Sequence, residues 1–142
     1  MKSTFLRSTL AAIVCTGVLA TPSMAAMINF KADMKASSEV PATKSKGTGS
    51  LTATYDEVSK KLTWKGTYKD LSGPATAAHF HGPAEAGKNA GVAVPITPNA
   101  SPFEGSATLT DAQAADLIAG KMYVNVHTDA NKGGEIRGQV TK

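Results

Sequence analysis

Ile28-Asn29-Phe30-Lys31-Ala32-Asp33-Met34-Lys35-Ala36-Ser37 alternates apolar and polar side chains at every step. Successive residues of a strand point to opposite faces, so a period of two predicts a β-strand with one buried face and one wet face. Glu39-Val40-Pro41-Ala42 breaks this strand. Gly47-Thr48-Gly49 then leads into Leu51, Ala53 and Tyr55, which alternate with Thr52 and Thr54. Asp56-Glu57-Val58-Ser59 lacks the glycine of a two-residue hairpin and predicts a longer connection. Its partner strand is Leu62-Thr63-Trp64-Lys65-Gly66-Thr67-Tyr68, with Leu62, Trp64 and Tyr68 on one face. Burial of Trp64 there is worth roughly 3 kcal/mol or more against alanine.

The same punctuation continues downstream. Leu71-Ser72-Gly73-Pro74 opens a segment from Ala75 to His81, and Gly82-Pro83 ends it. Residues 84–91 are rich in Gly, Ala, Lys and Asn and read as a loop. Val92-Ala93-Val94-Pro95-Ile96 is a short strand whose proline places it at an edge or a bulge. A further strand runs from Phe103 to Leu109. Thr110-Asp111-Ala112-Gln113 has the form of a capping box, and Gly120 sits where the helix should stop, which predicts one short helix near 111–119. Met122–His127 and Glu135–Val140 complete the strands, separated by the turn-prone Asp129-Ala130-Asn131-Lys132-Gly133-Gly134. About eight short strands with turn signals between them predict an all-β fold, an antiparallel sandwich or Greek-key barrel.

The chain has 142 residues, which suits one domain after an N-terminal leader. Lys2 and Arg7 precede an apolar stretch from Leu10 to Ala20, Pro22 breaks it, and Ser23-Met24-Ala25 supplies small residues. This is the pattern of a signal peptide over residues 1–25, cleaved after Ala25 to leave one domain over 26–142. The expected location is periplasmic or secreted, with no membrane span once the leader is gone. Cys15 leaves with the leader, so the exported chain relies on its core rather than on a disulfide. Of the 15 basic and 11 acidic residues, Lys2 and Arg7 also leave, and the excess charge falls to +2. The remaining lysines are scattered without interleaved aromatics, which argues against nucleic acid as a partner. An envelope or extracellular partner is expected instead. At 42% hydrophobic and 18% charged, the chain is neither a disordered polyelectrolyte nor a multispan membrane protein.

Three motifs stand out: His79-Phe80-His81-Gly82-Pro83-Ala84, Met122-Tyr123-Val124-Asn125-Val126-His127-Thr128, and Gly133-Gly134-Glu135-Ile136-Arg137-Gly138-Gln139. With Glu39-Val40-Pro41 and Leu62-Thr63-Trp64, they make the chain resemble a CHRD domain, the module named after chordin and found in bacterial secreted proteins. The resemblance covers nearly all of the exported chain. It implies a module that occurs singly in bacteria and in tandem within chordin, with no agreed biochemical activity. Chordin's growth-factor binding lies largely in cysteine-rich modules that are absent here, so that activity is not carried across.

All three histidines fall in these motifs. If Ala78 and Phe80 face the core, His79 and His81 share the opposite face. If Met122, Val124 and Val126 face the core, Tyr123, Asn125 and His127 point outward as well. Should the two strands be neighbours, His79, His81 and His127 converge as a candidate transition-metal site, with Asn125 and Glu135 as accessory residues. Neutral imidazole suits Cu(II), Zn(II) and Ni(II); copper is the favoured ion and zinc the second. Three histidines and a water leave an open position of the kind that supports chemistry. The alternative is a structural or interaction domain of the cell envelope, without metal. In it His79 and His81 hydrogen-bond beneath the 84–91 loop and His127 ties down the Gly133-Gly134 turn.

The His-x-His strand is also similar to copper/zinc superoxide dismutases. No fourth or bridging histidine is present and the paired cysteines are missing, so only a copper-only relative of those enzymes fits. No catalytic residue is assigned and an enzymatic role is the lesser expectation. Glu135 and Arg137, two apart, read as a surface pair on one strand face. Asp129 and Glu85 lie on loops near the histidine motifs, where either could add an oxygen ligand, but the ordinary reading is a solvated loop carboxylate.

Overall fold

The structure is a computed structural model and describes residues 26–97 and 99–142. The signal peptide expected over 1–25 lies outside the described residues. Eight strands form among them: β1 (Met27–Lys35), β2 (Thr48–Asp56), β3 (Lys61–Lys69), β4 (Ala75–His81), β5 (Val92–Pro95), β6 (Phe103–Thr108), β7 (Tyr123–Thr128) and β8 (Ile136–Gln139). They make one antiparallel sheet in the order β5-β4-β7-β8-β1-β2-β3-β6, curled into a nearly closed barrel. The single helix of this set, α1, spans Asp111–Ile118.

Strands β1, β2 and β3 form a meander whose alternation matches the register. Phe30, Ala53 and Trp64 lie across from one another, as do Ala32, Leu51 and Gly66, so each row of the inner face is apolar. Trp64 is buried and meets Phe80 edge-on at 5.2 Å between ring centroids, joining the meander to β4 through the barrel interior. Asp56 caps the β2–β3 turn by accepting from the Val58 and Ser59 amides, which makes the connection longer than two residues, as expected. Pro95 lies on β5, at one edge of the sheet, where a missing N–H costs no ladder bond.

The helix starts as its sequence predicts. The Thr110 hydroxyl accepts from Gln113 N, and the Gln113 side chain accepts from Thr110 N. Gln113 Nε2 also donates to the Ala93 carbonyl at 2.9 Å, tying α1 to β5, while Leu117 is fully buried. Gly120 follows at φ +72°, the left-handed conformation that a helix stop favours.

Two expectations are corrected. The outer face of β7 is not wet: every residue from Tyr123 to Thr128 is buried. Val124 and Val126 do enter the core, but Tyr123, Asn125 and His127 are roofed by loops. The 84–91 segment covers Tyr123 and the 129–134 turn covers His127, each through a backbone carbonyl. Alternation within a strand carries no information about which distant loop folds over it. Glu135 and Arg137 are not a surface pair either. Both are buried, Glu135 at 0% and Arg137 at 2% exposure, and no ion pair joins them. Glu135 precedes β8, after Gly134 at φ +126°, so strand parity does not run through it.

Candidate metal centre

Strands β4 and β7 are neighbours, as convergence of the histidines requires. Their register sets His79 opposite Asn125, His81 opposite Tyr123 and His127 opposite Ala77. His127 is therefore diagonal to His79, and Asn125 diagonal to His81, a spacing that rings and amides can bridge. One nitrogen from each of His79, His81 and His127 lies within 4.8 Å of the other two. Among the described residues no carboxylate joins this group, so Asp129, Glu85 and Glu135 stand outside it. Glu85 instead faces Lys121 at 3.7 Å on the surface.

His127 Nδ1 lies 2.9 Å from the Lys132 carbonyl. A carbonyl only accepts, so Nδ1 carries the proton and Nε2 presents its lone pair. That lone pair is 3.1 Å from His79 Nδ1. Two imidazole nitrogens bound side by side at about 2.0–2.1 Å from one metal lie roughly 2.9–3.4 Å apart, so the observed spacing matches a shared ion. Without an ion, His79 Nδ1–H donates to His127 Nε2.

His81 is held more tightly. Its Nδ1 is 3.0 Å from the Ala90 carbonyl and its Nε2 is 3.0 Å from Asn125 Oδ1. The ring stacks on Tyr123 with 4.8 Å between centroids and 2° between planes. Its ligation therefore requires one of these two hydrogen bonds to give way. Burial lowers the His79 pKa, and the His127 and His81 rings add to the effect. Burial also lowers the His81 pKa, partly opposed by its hydrogen bonds to Ala90 and Asn125. Both shifts favour neutral imidazole, the form that a metal takes.

The flanking residues were only partly visible in the sequence. Arg137 lies with its guanidinium 3.6 Å from the Tyr123 ring centroid, donates to Asn89 Oδ1 at 2.9 Å and to the Lys88 carbonyl, and so anchors the roof loop. In the sequence Glu39 reads as a strand break and as part of a family motif, with no sign of a site role. It is buried at 6% exposure beside Asn125. Burial raises its pKa to about 7 against the lowering influence of Arg137, the Asn125 side chain and the Val40 backbone. Its Oε1 has no hydrogen-bond partner. No hydrophobic period marks a carboxylate that a turn tucks beneath the sheet; the nearest signal was the Gly133-Gly134 pair, which leaves it room.

A small antiparallel barrel with a roofed tri-imidazole cluster on one strand pair is the class of protein that these features define. The CHRD domain family matches residues 30–140, and the chain belongs to that family. No curated protein matches it, and no solved structure does.

Proposed function

We propose that this chain is an exported CHRD binding module that takes up one transition-metal ion through His79, His81 and His127, copper before zinc. The observation that carries the reading is the 3.1 Å approach of His79 Nδ1 to His127 Nε2, with the other nitrogen of His127 pinned by Lys132. A backbone carbonyl that accepts from the other ring nitrogen and fixes the tautomer in this way is usual for a ligating histidine. Copper(II) outranks zinc at nitrogen sites of equal geometry. Export is supported by the charged, apolar and small-residue order of residues 1–25.

The test is a Cu(II) and Zn(II) titration of the purified protein by calorimetry and electron paramagnetic resonance. The His79→Ala/His81→Ala/His127→Ala triple variant is titrated beside it. One equivalent of copper should bind, with nitrogen hyperfine structure, and both signals should vanish in the variant. Acid should release the ion as protons compete for the imidazoles. Weak binding that the variant leaves unchanged overturns the reading. The histidines are then braces, for which the His81–Ala90 and His127–Lys132 hydrogen bonds are the specific support.

A further inference from the structure

Two buried charged side chains, Glu39 and Arg137, line one cavity of about 240 Å³. It lies between the turn that ends β1, the 84–91 loop and β8, and none of the three histidines lines it. Ser38, Val40 and Ala86, also in its wall, are exposed, which places its mouth at the surface. Clefts for drug-sized ligands run to roughly 300–1,000 Å³, so the volume limits an occupant to a small molecule.

Neither charge has a counter-ion in contact. No salt bridge joins Glu39 to Arg137. Arg137 donates to Asn89 Oδ1 and to the Lys88 carbonyl and lies over the Tyr123 ring, all neutral groups, and a guanidinium carries further N–H groups beyond those two. Glu39 Oε1 has no hydrogen-bond partner, and burial raises the Glu39 pKa although Arg137 works to lower it. A buried charge without a partner is unfavourable, and an opposite charge brought to it relieves the penalty. Gln139, in the same wall, commits its Nε2 to the Ala84 and Gly120 carbonyls, so its Oε1 is left to accept. A ligand of single charge would meet one of the two buried side chains with like charge. A molecule with an anionic and a cationic end complements both, and Val40 and Ala86 offer an apolar wall to whatever small group it also carries.

We propose that this cavity binds a small zwitterion, a free amino acid with a short side chain, its carboxylate on Arg137 and its ammonium on Glu39. The site is separate from the histidine cluster and does not depend on a metal there.

Titration of the metal-free protein with glycine and with L-alanine at pH 8, followed by the backbone amide signals in NMR, tests the proposal. Both amino acids should shift the signals of residues 37–40 and 86–87 to saturation. Methylamine and acetate, each with one of the two charges, should bind at least about tenfold more weakly. Glu39→Gln keeps the shape and removes the charge, and it should weaken glycine binding by at least about tenfold. Ala86→Trp sets bulk at an exposed position of the mouth and should abolish binding; it serves if the glutamine variant does not fold. The absence of a saturable glycine shift overturns the proposal. Methylamine or acetate binding as tightly as glycine also overturns it, as does glycine affinity that neither substitution moves.

Discussion

Glu135→Ala should lower the stability of the domain by on the order of 4 kcal/mol, because it removes a buried, multiply bonded carboxylate from the junction of four chain segments. Oε1 accepts from the Ser45 hydroxyl at 2.6 Å and the Ser72 amide at 2.7 Å. Oε2 accepts from the Ser72 hydroxyl at 2.6 Å, from Thr128 Oγ1 at 2.5 Å and from Asn131 Nδ2 at 3.0 Å. These donors come from the approach to β2, the β3–β4 turn, the end of β7 and the β7–β8 turn. Alanine strands them in a space where Glu135 itself has no exposure. Guanidinium unfolding measures the loss, and a value under about 1 kcal/mol would contradict this account.

The same carboxylate gives the protein an acid limb. Burial would raise the Glu135 pKa, but the hydrogen bonds from Ser45, Ser72 and Thr128 outweigh it and hold the value at about 2, against an ordinary 4.5. A folded pKa below the unfolded one stabilises fully above pH 4.5, and the contribution is lost as pH falls from 4.5 towards 2. The span corresponds to about 3 kcal/mol. Glu39 acts in the opposite sense: its pKa near 7 makes its contribution greatest below pH 4.5, with loss between pH 4.5 and 7. Glu135→Ala should therefore flatten the decline of stability below pH 4.5 while leaving the decline between pH 4.5 and 7 in place.

Where one face of a strand is wet, the sequence spoke clearly. The alternation of Phe30, Ala32 and Met34 with lysines and Asp33 predicted β1 within a residue or two, and Thr110 with Gln113 predicted the start of α1. The convergence of the three histidines was legible as well, because parity put them on one face of two strands and the sheet made those strands neighbours. What could not be read was burial supplied from a distance. The roof over β7 comes from loops fixed by Arg137, Tyr123 and His127, and no local period encodes a loop that lands on a strand far away in sequence. Glu39 and Glu135 escaped for a related reason. Each sits just outside a strand, where the backbone turns and the period of two no longer says which way a side chain faces.

Gly138→Ala should cost about 3 kcal/mol or more, a large effect for one added methyl, because the methyl has only backbone to meet. A Cβ at position 138 would lie 2.5 Å from the Asp33 carbonyl oxygen and 2.8 Å from its carbon. A flexible side chain could swing aside from such a clash; a strand cannot without moving. The location makes the shift expensive. Strand β8 joins the β5-β4-β7 half of the sheet to the β1-β2-β3-β6 half, and it holds β1 by the Lys35–Arg137 pairing. The following residues add the Lys31–Thr141 bridge, bonded at 2.8 and 2.9 Å. Parting β8 from β1 strains both contacts and carries Arg137 away from the Tyr123 ring that backs His81. Gly91→Ala is the control: nothing lies within 4 Å of its added methyl, so it should be neutral or stabilise slightly through the unfolded state. Thermal and guanidinium unfolding of the two variants side by side measure the difference. Equal stability would mean that the two halves of the sheet are not held together by this backbone approach, and that the joint between them yields without cost.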